Sequence, residues 1–125
     1  MNFVILPKRA IPLVKDAIAQ IVKIPAEEVI IITPEGDEVE MSHGIARIEV
    51  EAYLWDSFAE DIRLAKGISK ILKVPTFTSA GPSGTLDEYI DGEFFKRLRI
   101  DEGATDKDGC WFPRFIDPPE GMTEP

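Results

Sequence analysis

Residues 17–25 read AIAQIVKIP, and residues 67–75 read GISKILKVP. The offset between them is 50 throughout, with Ile18/Ile68, Ile21/Ile71, Lys23/Lys73 and Pro25/Pro75 identical. Val22/Leu72 and Ile24/Val74 are conservative exchanges. Each stretch spaces its apolar residues at three- and four-residue steps and then meets a proline, which pushes the preceding residue out of helical geometry. Both therefore predict the end of an amphipathic helix and the start of a strand. Upstream, Val14 falls on Leu64 and Phe3 on Tyr53, so each copy is expected to begin with a strand as well.

The expected fold is α+β, with two pseudo-symmetric βαβ units over residues 1–100. They form a four-stranded sheet with both helices on one face, followed by a C-terminal hairpin. A crossover helix of this length suits parallel strands lying side by side. The other face then needs a cover that so short a chain lacks, which predicts a homo-oligomer. The same element order also fits a ferredoxin-like βαββαβ domain, in which the strands pair differently.

Working outward, Asn2–Leu6 is an apolar run ended by Pro7 and predicts a buried strand. Pro12 suits the first turn of the following helix, whose stripe is Ile11, Val14, Ala17, Ile18 and Ile21. Glu28–Thr33 is β-branched and nearly all apolar, which predicts a strand covered on both faces. Pro34-Glu35-Gly36-Asp37 has turn chemistry and leads to a charged stretch, Glu38–Met41. From Ala46 to Leu54 apolar and polar residues alternate strictly, the clearest strand in the chain. Asp56 or Ser57 caps the second helix, with Glu60 completing a capping box. Its stripe is Phe58, Ile62, Ala65, Ile68 and Leu72. Thr76–Ser79 predicts a strand, and Asp91-Gly92 a two-residue turn between strands Thr85–Ile90 and Glu93–Ile100.

The 125 residues carry 44% apolar side chains and a net charge of −9. That charge excludes a duplex-binding surface, which needs Lys and Arg to displace counterions from phosphate. Residues 101–125 form an acidic tail rich in Gly and Pro, where seven acids face Lys107 and Arg114. Its Trp111, Phe112, Phe115 and Ile116 are expected to dock on the body or on a neighbouring subunit. The longest apolar run, Val29–Ile32, is far too short for a membrane span of about 20 residues. With no leader after Met1–Leu6, the cytoplasm is the expected compartment. Cys110 is the only cysteine, so no internal disulfide forms, and no cofactor motif is present.

The phrase Ile24-Pro25-Ala26-Glu27-Glu28-Val29 closes a helix before a strand. With the second strand–helix copy, it resembles the tautomerase superfamily, the family of 4-oxalocrotonate tautomerase and macrophage migration inhibitory factor. Arg47–Leu72 and Tyr89–Phe95 are similar to tautomerase-like bacterial proteins, so the likeness spans roughly residues 1–95. It implies a ring-shaped trimer with small-molecule sites between subunits. The family's general base is an N-terminal proline, whereas this chain begins Met1-Asn2. The resemblance therefore implies a relative without proline-based catalysis, or an isomerase that uses the terminal amine of Met1. Lys8 and Arg9 stand where the family carries a substrate-binding arginine. The competing reading is a small acidic, immunity-like binding protein for a basic partner.

The remaining residues point to ordinary roles. His43, the one histidine, sits in a turn and has no second imidazole for a metal pair. Glu49 and Glu51 share a strand face with Arg47, either as a carboxylate pair or as a salt-bridged surface. Arg63, Lys66, Lys70 and Lys73 are expected to form the solvent face of the second helix.

Overall fold

The computed structural model describes residues 2–32, 44–101 and 114–116. β1 (Asn2–Pro7) leads through a 3-10 turn at Lys8–Ala10 into α1 (Ile11–Val22), and β2 (Ile30–Ile32) follows. β3 (Ile45–Glu51), α2 (Phe58–Leu72) and β4 (Thr76–Thr78) repeat that sequence of elements. β5 (Thr85–Ile90) and β6 (Glu93–Asp101) form a hairpin, and the two-residue β7 (Arg114–Phe115) lies beside β6. The result is an α+β fold of two helices and an open sheet, ordered β2-β3-β1-β4-β5-β6-β7. Every neighbouring pair is antiparallel.

The expectation of parallel neighbours is overturned. β1 and β2 do run in the same direction, but β3 lies between them; β3 and β4 likewise enclose β1. A helix is about 10 Å across and strands are about 4.8 Å apart, so one helix covers the width of two strand spacings. A crossover that skips one strand gives each helix that width. The two units are thereby interleaved.

The repeat itself survives where the helices end. Lys23 and Lys73 both take left-handed backbone, at φ 65° and 56°, and each terminates its helix two residues before a proline. Upstream the correspondence fails: Phe3 lies within β1, but Tyr53 lies past the end of β3 with φ 58°. That left-handed residue stops β3 at Glu51, although the alternating pattern runs on to Leu54.

Both helices pack on one face of the sheet. Val14 and Ile18 of α1 and Leu64, Ala65 and Ile68 of α2 meet Val4 and Leu6 of β1 and Ile48 and Val50 of β3. Gly67 lets the helices approach, because a Cβ there would run into the Ile21 side chain. Phe58, expected in the α2 stripe, is exposed, and Asp61 takes a place on the buried side instead. The opposite face, for which an external cover was expected, has a core of its own. Ile5, Ile45, Phe77, Leu86, Leu98, Ile100 and Phe115 are all buried there, with the Phe77 and Phe115 rings 5.4 Å apart. Of the two tail-cluster residues among those described, Phe115 docks on the body and Ile116 is exposed.

β2 also differs from expectation. It pairs only with β3 among the described residues, and Ile30 and Ile32 are exposed rather than covered. The hairpin matches expectation in both strands, with Asp91 and Gly92 at φ 51° and 86°. The turn at 34–37, the stretch 38–41, His43, Cys110, Trp111 and Phe112 lie outside the described residues. Among those described, no helix is long and apolar enough to cross a membrane.

Candidate functional site

The most polar buried construction joins the start of β1 to the first turn of α2. Ser57 caps α2, its hydroxyl accepting from the Glu60 N–H at 3.3 Å. One turn on, Asp61 is buried against β1. Its Oδ1 accepts from the Asn2 side-chain amide at 3.1 Å and from the Phe3 N–H at 3.3 Å. β4 pairs with β1 only at Ile5, so the beginning of β1 lacks a strand on that side and Asp61 supplies an acceptor instead. The same Asn2 amide donates to the Trp55 carbonyl at 2.9 Å. Burial pushes the Asp61 carboxyl above the usual range; the Asn2 and Phe3 hydrogen bonds oppose that shift, and nearby Asp56 adds to it.

This network fixes the backbone of the loop between β3 and α2 while its aromatic side chains face outward. Tyr53 is 79%, Trp55 83% and Phe58 62% exposed. Large apolar side chains are a costly thing to leave in water, and three of them are exposed here within six residues of chain. Tyr53 reaches toward Glu28, with 3.5 Å between the phenol oxygen and Glu28 Oε1. Beside Tyr53 lies a shallow, open cleft of about 300 Å³. Val50, Ala52 and Leu54 form its apolar wall, and Asn2, Glu51 and Asp56 its polar one. An apolar wall ending in carboxylates, rimmed by an aromatic ring, suits the long stem and charged head of a lysine or arginine.

The residues singled out in the sequence are placed elsewhere. Lys8 and Arg9 occupy the exposed turn after β1, at the opposite end of that strand from Asn2. Met1 lies outside the described residues. Arg47 and Glu49 form a salt bridge at 3.5 Å, with the guanidinium 4.3 Å over the Phe3 ring, so this strand face is ion-paired. Arg63, Lys66, Lys70 and Lys73 are exposed on α2, as expected. Among the described residues no His, Cys, Asp and Glu cluster is arranged to hold a metal ion.

Three buried acids escaped the sequence reading: Asp61, Glu88 and Asp87, the last accepting from Arg97 Nε at 2.7 Å. Asp61 lies three and four residues before Leu64 and Ala65, so helical spacing alone puts it on the buried stripe. Glu88 shares its strand parity with Leu86, on the face opposite the helices, opposite Phe77 on β4 and Lys96 on β6. Its Oε1 is buried without a hydrogen-bond partner, and burial pushes its carboxyl up against the pull of Lys96. Compared with known proteins, the chain matches no family model, and no curated protein or solved structure matches it.

Proposed function

We propose that this chain is a binding module, of the immunity-like or inhibitor kind, that takes a basic and apolar surface onto its β3–α2 loop. The scaffold in this reading is a ferredoxin-like βαββαβ core, the order β2-β3-β1-β4, extended by the β5–β6 hairpin. The observation that carries it is the aromatic triplet Tyr53, Trp55 and Phe58, exposed on a backbone that is itself pinned by Asn2 and Asp61. Tyr and Trp are the side chains that most often dominate protein interfaces, and a fixed backbone reduces the ordering cost of binding. Glu51 and Asp56 at the cleft beside Tyr53, in a chain of net −9, favour a cationic partner, whereas Glu60 is paired with Arg63 at 3.3 Å.

The test is to titrate a peptide alternating lysine and phenylalanine into a Trp111→Phe background, where Trp55 is the remaining one of two tryptophans. Trp55 fluorescence is expected to shift to the blue and saturate, and the affinity to fall as salt rises. A peptide alternating glutamate and phenylalanine is expected to leave it unchanged. Equal binding of the two peptides, or unaltered binding by a Tyr53→Ser/Phe58→Ser variant, overturns the proposal.

A further inference from the structure

The side chains that line the cleft beside Tyr53 have acceptors to offer and no spare donors. Asn2 is buried and forms part of the lining. A carboxamide carries two N–H donors and one acceptor oxygen. The Asn2 nitrogen is already used inside the protein, donating to the Trp55 carbonyl at 2.9 Å and to Asp61 Oδ1 at 3.1 Å. What this amide has left is its oxygen. The Tyr53 hydroxyl, the other donor among the lining side chains, is directed to Glu28 Oε1, 3.5 Å away. Glu51 and Asp56 complete the polar wall with carboxylates, which only accept when ionised. The apolar wall is anchored in the core, since Val50 and Ala52 are both buried there.

Resting on the reading of the β3–α2 loop as a binding surface, we infer that the residue this cleft takes from its partner is an arginine, and that lysine is a poor substitute. A guanidinium has five donors in a rigid planar fork and no acceptor, so it meets a wall of acceptors with several bonds at once. An ammonium offers three donors from one point and holds its water more strongly. The planar head also stacks on aromatic faces, and the exposed Tyr53 ring lines the same cleft. Its aliphatic stem then covers Val50, Ala52 and Leu54. The chain uses this combination of ring and carboxylate within itself, on the same strand. The Arg47 guanidinium lies 4.3 Å over the Phe3 ring and pairs with Glu49 at 3.5 Å.

The test uses the full chain carrying Trp111→Phe and two peptides of equal length and charge. One alternates arginine with phenylalanine, the other lysine with phenylalanine. Equal charge cancels the long-range attraction, so the ratio of affinities reads the head group. By Trp55 fluorescence the arginine peptide is expected to bind about tenfold more tightly. Both affinities fall as salt rises, while their ratio holds. Glu51 is exposed, so Glu51→Gln leaves the core intact and is expected to remove the difference between the peptides. Guanidinium groups also stack on Trp55, which makes this variant the deciding arm. An arginine preference that survives Glu51→Gln belongs to the exposed rings and overturns the cleft as its source. If the lysine peptide binds the parent chain as tightly as the arginine peptide, or more so, arginine is overturned and the binding-module reading stands. If neither peptide binds, both fall.

Discussion

The start and the finish of α2 present the same kind of surface by different means. At the start, Tyr53, Trp55 and Phe58 project from irregular backbone that a buried carboxylate and amide hold in place. At the finish, Phe94 and Phe95 project from a hairpin whose register shifts between Glu88 and Tyr89. It is tied down by one hydroxyl, Ser69 accepting from the Gly92 N–H, and by the exposed Lys73–Asp91 ion pair. Irregular backbone has no ladder of its own, so its fixed shape depends on side chains. A hairpin carries its own ladder and needs little help. The two anchors should therefore differ in how much stability they carry, although the surfaces they present are alike in kind.

The largest effect is expected at Asp61. Asp61→Ala strips the acceptor from Asn2 and from the Phe3 N–H, and should lower unfolding free energy in urea by about 2–3 kcal/mol. Asp61→Asn keeps an acceptor oxygen and should fall within about 1 kcal/mol of wild type. If the alanine variant were as stable as the asparagine one, the loop would not depend on this anchor. Ser69→Ala, at the other end, leaves the Gly92 N–H without its acceptor and should cost about 1 kcal/mol.

Acid pH separates the same groups by sign. Asp61 and Glu88 both have carboxyl groups raised by burial, so the fold prefers their protonated forms. The stability each contributes is complete below the unfolded carboxylate range of about 4 and is lost as pH rises through the raised folded value. Wild type should thus gain on Asp61→Asn and on Glu88→Gln as pH is lowered from neutral toward that range. Parallel melting-temperature profiles would remove the argument for buried charge. Tyr53→Ser and Phe58→Ser should shift stability by less than about 0.5 kcal/mol, since exposed side chains carry little of it. The smallest effect belongs to Lys73→Met: its partner Asp91, held below its usual range by Lys73, is fully exposed, and melting should not resolve the change.

Local chemistry was legible in the sequence and pairing was not. Ser57 as a cap, Asp91-Gly92 as a turn and Pro25/Pro75 as helix stops each act within a few residues, so the chain states them directly. The face pattern of β3 was legible too, because Ala46, Ile48 and Val50 alternate with Arg47, Glu49 and Glu51. Alternation says which side of a strand is buried but not which strand lies next to it, so the element order left side-by-side units and an interleaved pairing equally open. Three isoleucines at 30–32 look like a central strand by composition, yet composition is blind to a place at the edge. The site was less legible still. Tyr53 continues an alternating pattern while its backbone turns left-handed, and Asp61 is polar at a buried position. Each breaks the rule by which its neighbours are recognised, and together they frame the exposed loop.

The interleaving of the two units has a consequence for synthesis. β1 leaves the ribosome before both of its neighbours, of which β3 ends at Glu51 and β4 at Thr78. Nascent chains released before Thr78 hold a first strand with one edge bare, and neither half can assemble the central ladder alone. The domain should therefore fold in a single late step, and cutting it between α1 and β3 should yield two fragments that acquire structure only in each other's company.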